Sequence, residues 1–112
     1  MRVYFHSKKL QKAMATPKAM ASKWGDKIAR KLSTRLAELT AADHLADIER
    51  TSPARCHELT ANRKGQLSVD LAHPYRLIFI PADDPIPRKL DGGLDWSQVS
   101  AVEILEVADT HE

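Results

Sequence analysis

Leu67-Ser68-Val69-Asp70-Leu71, then Ala72-His73-Pro74, then Tyr75-Arg76-Leu77-Ile78-Phe79-Ile80 is the stretch that decides the fold. Leu67, Val69 and Leu71 alternate with Ser68 and Asp70, the pattern of a strand with one buried face. Ala72-His73-Pro74 is a tight turn. Tyr75 to Ile80 is almost continuously apolar, as a central strand would be. Two strands joined this closely make an antiparallel hairpin.

Outward from the hairpin the same period continues. Ala54 to Leu59 reads as a strand, and Thr60 to Gly65 as a polar turn leading into Leu67. Pro81 to Trp96 holds three prolines, four aspartates and Gly92-Gly93, so it reads as a long acidic loop. Val99 to Val107 returns to strand character.

The N-terminal half follows a different period. Arg2 to Phe5 has strand propensity and ends quickly. Ser7 caps a helix from Lys8 to about Ala15, with Leu10 and Met14 on its inner face. Thr16-Pro17 restarts a helix, threonine at the cap and proline at the first helical position. Met20, Trp24, Ile28, Leu32, Leu36 and Leu39 then form a stripe over about 24 residues, with lysines and arginines on the other faces. The two helices are expected to fold back as a hairpin. Weak helical propensity runs from Leu45 to Arg50 until Ser52-Pro53 breaks it. The order predicts an α+β fold, N-terminal helices packed on one face of a small, twisted, mainly antiparallel sheet. At 112 residues one domain is expected over 1–112, with the basic helices in 1–50 and the sheet in 54–112.

The net charge of +2 conceals an asymmetry. Residues 1–36 carry ten Lys/Arg against the single acid Asp26, whereas residues 37–112 carry seven against fourteen. A strongly basic third is either a nucleic-acid footprint or a solvated lysine-rich face. No apolar run is long enough for a membrane helix, and the opening residues do not form a secretory signal. One cysteine, Cys56, excludes an intrachain disulfide and fits a reducing, cytoplasmic setting. Beside His57 it reads either as a nucleophile or, more commonly for such residues, as a small buried apolar group.

Walker A, GxGxxG, GxSxG and HExxH patterns are all missing. The five histidines have no metal-ligand spacing, so neither a metal nor a cofactor is expected. What remains is a set of proton-transfer and phosphate-binding groups on the sheet half: His57, Arg63, Lys64, Arg76, Asp109 and His111. Four of them have a plain alternative. Arg76 can be ion-paired to Asp70 or Glu106, His57 can be a half-exposed strand residue, and Asp109 with His111 can be a frayed tail.

His57-Glu58-Leu59-Thr60-Ala61-Asn62-Arg63-Lys64-Gly65-Gln66-Leu67-Ser68-Val69, followed by Tyr75-Arg76-Leu77-Ile78-Phe79, resembles the HigB branch of the RelE/ParE toxin superfamily. The family pattern is roughly H-x-L-x-G-x-R-x-G-x-W/F-S-I, then W/Y-R-I-x-F, with a last strand ending D-Y-H. Asp109-Thr110-His111 approximates that ending. The resemblance covers the chain apart from the 81–96 loop, and three motifs in the right order are more specific than any one. It implies a small mRNA-cleaving toxin of a toxin-antitoxin system, active on the 70S ribosome and neutralised by a cognate antitoxin of the helix-turn-helix DNA-binding kind. Carried over, His57, Arg76, Asp109 and His111 are the catalytic set, and Arg63 and Lys64 lie in the basic loop.

Three departures stand out. Thr110 replaces tyrosine, Ala61 replaces the loop glycine, and the 81–96 loop is expanded, where it could cover the site or touch a partner. Metal-free RNA cleavage needs a base for the ribose 2′-OH, charge stabilisation at phosphorus and an acid for the leaving 5′-oxygen. The resemblance assigns acid and base to His57 and His111, with Asp109 as base or orienter. Arg76, aided by Arg63 and Lys64, would hold the phosphate. Lys23, Lys27, Arg30 and Lys31 on the basic helices would grip further RNA phosphates. The rival functions are a gyrase-poisoning toxin of the ParE kind, which generally lacks the histidines, and a decayed RNA- or antitoxin-binding module.

Overall fold

The computed structural model describes residues 1–48 and 52–110. In chain order come β1 (Arg2–Phe5), α1 (Lys8–Ala13), α2 (Pro17–Trp24), α3 (Asp26–Ala41) and a 3-10 turn at Leu45–Asp47. The second half supplies β2 (His57–Glu58), a 3-10 turn at Ala61–Arg63, β3 (Leu67–Asp70), β4 (Tyr75–Pro81) and β5 (Ala101–Asp109). The strands form one sheet in the order β1-β5-β4-β3-β2. β1 runs parallel to β5 and every other pairing is antiparallel. The α+β architecture is the expected one.

The helix boundaries follow from side-chain chemistry. Ser7 accepts the Leu10 N–H at 3.1 Å, and Thr16 accepts that of Ala19 at 3.0 Å, so both predicted caps are in place. The long stripe, however, is carried by two helices rather than one. Gly25 adopts φ +85° and ψ 161°, which no helix interior accommodates, and the chain breaks there. Its N–H still ends α2 on the Ala21 carbonyl and its own carbonyl accepts from Ala29, opening α3. The stripe survives the break because α2 buries Met20 while α3 buries Ala29, Leu32 and Leu39. The hairpin therefore forms between α2 and α3, which pack together more extensively than α1 and α2.

Arg35 is a second correction. The basic residues were expected on the outer faces, yet Arg35 is only 4% exposed. Its guanidinium donates to the Asp70 carbonyl at 2.7 Å and the Pro53 carbonyl at 3.1 Å, and pairs with Glu38 at 2.8 Å. The fork meets three acceptors at once, which makes an arginine tolerable there.

On the sheet half, the strand expected from Ala54 to Leu59 contracts to His57–Glu58. Arg55, at φ +47°, leaves the extended conformation and interrupts regular pairing. Cys56 is fully buried in the core, the packing role and not the nucleophilic one. β5 runs two residues beyond its expected end at Val107, so Asp109 is strand rather than frayed tail. Of the weak helix expected at Leu45–Arg50, Leu45–Asp47 is a 3-10 turn, and Glu49 and Arg50 lie outside the described residues.

The core lies between the helices and one sheet face, where Leu67, Val69, Leu77, Phe79, Val102 and Ile104 meet Leu32 and Leu39. The other face is read from the pairing. Ser68 stands opposite His57 and Ile78, and Ile78 opposite Glu106. Asp70 stands opposite Arg76, and Arg76 opposite Ala108. No helix among the described residues is long and apolar enough to cross a membrane.

The 81–96 segment is folded back on itself. Lys89 N–H reaches the Gly93 carbonyl at 2.8 Å, Asp95 N–H reaches the Pro87 carbonyl at 3.0 Å, and Arg88 bridges to Leu94. Leu94 is buried in the core and Trp96 donates to Glu58 at 3.0 Å, which fixes the segment against β2.

Candidate functional site

Where the β3–β4 turn meets the end of β5 the surface sinks into an open cavity of about 480 Å³. Its walls come from three separate parts of the chain: Arg55; Asp70 to Arg76 without Ala72; and Asp109 with Thr110. Arg76 is the best anchored of its basic groups. Its Nε lies 3.4 Å from Asp70 Oδ1, and its Nη1 donates to Thr110 Oγ1 at 3.1 Å. Neighbours on both flanking strands thus fix an arginine that an apolar strand would otherwise bury at a cost.

Asp70 does double duty. Its second oxygen, Oδ2, lies 3.6 Å from Arg55 Nε, so one carboxylate is shared by two guanidiniums. Its main-chain carbonyl is the one held by Arg35 from α3. Burial differs between the arginines, Arg76 keeping 17% of its side chain exposed and Arg55 66%. His73 and Tyr75, both exposed, complete the polar wall.

The expected site residues divide into groups. Arg76 and Asp109 line the cavity together. Asp109 pairs with Tyr75, one position from Arg76, so it leaves β5 on the opposite side from Ala108. His57 does not line the cavity. It shares the Arg76 face but sits on the edge strand, and its Nδ1 lies 3.1 Å from the Arg55 carbonyl. A carbonyl can only accept, so Nδ1 is the donor of this contact, and Nε2 is the ring nitrogen left for other partners. His111 lies outside the described residues.

Arg63 is committed locally, to Gln66 at 3.0 Å and to Glu106 at 3.6 Å, while Lys64 is exposed. Lys23, Lys27, Arg30 and Lys31 are all exposed on α2 and α3, in the layer on the far side of the sheet from Arg76. No residue of the 81–96 segment lines the cavity. Among the described residues no three His, Cys, Asp or Glu side chains are grouped to hold a metal ion.

Sequence reasoning missed Arg55, His73 and Tyr75 as wall residues. Arg55 sits two positions before His57 in the stretch expected to be a strand, and Tyr75 directly precedes Arg76. His73 gave no signal beyond its place in a turn.

The chemistry available is that of anion recognition beside proton donors and acceptors. Two guanidiniums, an imidazole and a phenol surround a space large enough for a nucleotide, and two carboxylates balance the charge.

The fold has counterparts among solved structures. The chain has the fold of the YoeB/ParE toxin from Agrobacterium tumefaciens, with a TM-score of 0.57, 7% identity, and coverage of 99% of this chain and 100% of that one. It is likewise similar to a chain of the YoeB-YefM complex from Staphylococcus aureus, with a TM-score of 0.54 at 15% identity, covering 100% and 98%. No family model matches the sequence, and no curated protein does. At such identities the likeness is one of fold.

Proposed function

We propose that this protein is the toxin of a toxin-antitoxin pair and acts as a metal-independent endoribonuclease of the HigB/RelE kind on mRNA at the 70S ribosome. The observation that carries the proposal is Arg76, held by Asp70 and Thr110 in an open cavity at the arginine of the family's W/Y-R strand pattern. The toxin fold supports it.

In this reading Arg76 grips the scissile phosphate and strengthens its contact as negative charge grows on the phosphoryl oxygens. A base removes the 2′-OH proton, the resulting alkoxide attacks phosphorus, and an acid protonates the departing 5′-oxygen. His57, whose Nδ1 is held by the Arg55 carbonyl and whose Nε2 is left to face a substrate, suits the base, and Asp109 on the cavity wall is a carboxylate able to take that part instead. His111 is proposed as the acid. Arg63 and Lys64, with Lys23, Lys27, Arg30 and Lys31 on the helices, supply longer-range attraction for RNA. The partner is a protein antitoxin, in the place YefM holds in the YoeB-YefM complex, and the setting is the cytoplasm.

One specific observation favours a second reading. His57 is outside the cavity wall and Thr110 stands where the family has tyrosine, which suits a module that binds RNA or antitoxin without cutting. Induced expression separates the two. The wild type is expected to arrest growth and generate new mRNA 5′ ends, and Arg76→Ala to do neither while staying folded. Arrest without new 5′ ends would favour gyrase poisoning, and no arrest the non-cutting module.

A further inference from the structure

We infer that Arg55 is a second phosphate-binding arginine, forming with Arg76 a two-guanidinium cradle for the backbone of single-stranded RNA. Asp70 is then the counter-ion that occupies the cradle when RNA is absent. The inference rests on the ribonucleic-acid reading of the cavity and adds a residue the family pattern does not supply.

Three observations converge on Arg55. First, the pairing is loose. Charge-assisted N–H···O contacts close to about 2.7–2.9 Å, whereas the Asp70 oxygens lie 3.4 Å from Arg76 and 3.6 Å from Arg55. A backbone phosphodiester, whose two non-bridging oxygens share one negative charge as a carboxylate's do, can replace such a loosely held partner by closing to the shorter distance. Second, the two arginines differ in a useful way. Arg76 is enclosed and fixed, while Arg55 is two-thirds exposed at the rim of the same cavity, where an entering chain passes. Third, Arg55 sits at φ +47°, a left-handed conformation that glycine adopts freely and arginine does not. That backbone places its carbonyl on His57 Nδ1 and its side chain on the cavity wall. One residue thereby links the proposed base to the proposed phosphate site.

The neighbouring charges set the size of the effect. Asp70 and Asp109 offset the two arginines on the wall, with His73 and Tyr75 beside them. Affinity for a free anion is therefore modest, and RNA gains from contacts beyond the cavity.

The test uses the full chain and a fluorescent 2′-O-methyl oligoribonucleotide, which no 2′-OH attack can cleave, followed by anisotropy across a salt series. Arg55→Gly keeps the left-handed backbone and is expected to match or exceed the wild type in thermal stability. It should nevertheless bind about 5- to 20-fold more weakly, with the slope of log K against log salt reduced by about 0.7, one phosphate contact on a single strand. Arg55→Lys should recover part of the affinity and most of the slope. An Arg55→Gly protein that binds like the wild type with an unchanged slope overturns the inference. So does a wild type that fails to bind the oligonucleotide at low salt. Weakened binding by Arg55→Gly in a protein that cleaves no RNA would leave the cradle standing and remove the ribonuclease reading instead.

Discussion

Arg76 Nη1 and Thr110 Oγ1 meet at 3.1 Å, joining β4 to the end of β5 across 34 positions of sequence. Thr110 thus supplies a short hydroxyl as an acceptor for the arginine. Thr110→Val keeps the shape and deletes the oxygen. A net hydrogen bond of about 0.5–1.5 kcal/mol corresponds to a loss of about 3- to 10-fold in RNA cleavage. Thr110→Ser should retain most of it. Primer-extension rates on a defined mRNA make the comparison, and equal rates for threonine and valine would remove Thr110 from the site.

Gly25 is the hinge of the helical layer. A Cβ added there would meet nothing within 4 Å, so any penalty comes from the backbone alone. At φ +85° and ψ 161° an alanine is expected to cost about 1–3 kcal/mol. Urea denaturation of Gly25→Ala should show that loss with an unchanged slope, while a stability within error of the wild type would mean the α2–α3 junction relaxes freely.

These two positions also mark where the sequence stops being legible. The sheet could be read because Leu67 to Leu71 alternate and Tyr75 to Ile80 do not. The two-sided burial expected of β4 holds at Leu77 to Phe79, but β3 is not buried on one side only, since Ser68 on its polar face is fully covered opposite Ile78. Gly25 could not, because the apolar stripe keeps its spacing through the break and both helices bury the same side. β2 came out too long because nothing in Ala54 to Leu59 announces that Arg55 turns left-handed. Arg76 was conspicuous as a charge in an apolar strand. Its partners were only half visible: Asp70 was one of two named acids, but the Thr110 contact depends on how far β5 extends. The cavity joins Arg55, the β3–β4 turn and Thr110, a juxtaposition created by strand order and invisible to local pattern. His57 was placed on the right face by its strand, yet periodicity says nothing about reach.

Asp83 ties the start of β5 to the end of β4. Partial burial pushes its carboxyl pKa upward, but hydrogen bonds from the Ser100 hydroxyl and the Ser100 and Ala101 N–H groups outweigh that and hold it below its ordinary value. A depressed folded-state pKa means that the unfolded chain takes up the proton first. The contribution of Asp83 is complete at neutral pH and fades below about pH 4 as the pH approaches the folded-state value. Asp83→Asn should therefore be less stable than the wild type at neutral pH, with the gap closing towards pH 3. Melting temperatures across that range test it, and a constant gap would show that the carboxylate charge is irrelevant.

Arg35 connects the helical layer to the site. Its guanidinium holds the Asp70 carbonyl at 2.7 Å, and the Asp70 side chain in turn lies against Arg76 and Arg55. Arg35→Met fills a similar volume but leaves the Asp70 and Pro53 carbonyls without their donor in a partly buried setting, an expected loss of about 1–3 kcal/mol. Arg35→Lys should recover less than half, because a point charge cannot reach two carbonyls and a carboxylate as a planar fork does. The same link predicts a functional effect separate from stability. Under conditions where Arg35→Lys remains fully folded, RNA cleavage should fall about 3- to 10-fold, the expected effect of loosening one hydrogen bond behind Asp70. Circular dichroism establishes the folded fraction and cleavage rates establish the rest. A fully folded Arg35→Lys protein with wild-type cleavage would make Arg35 a stabiliser of the fold that leaves the site untouched.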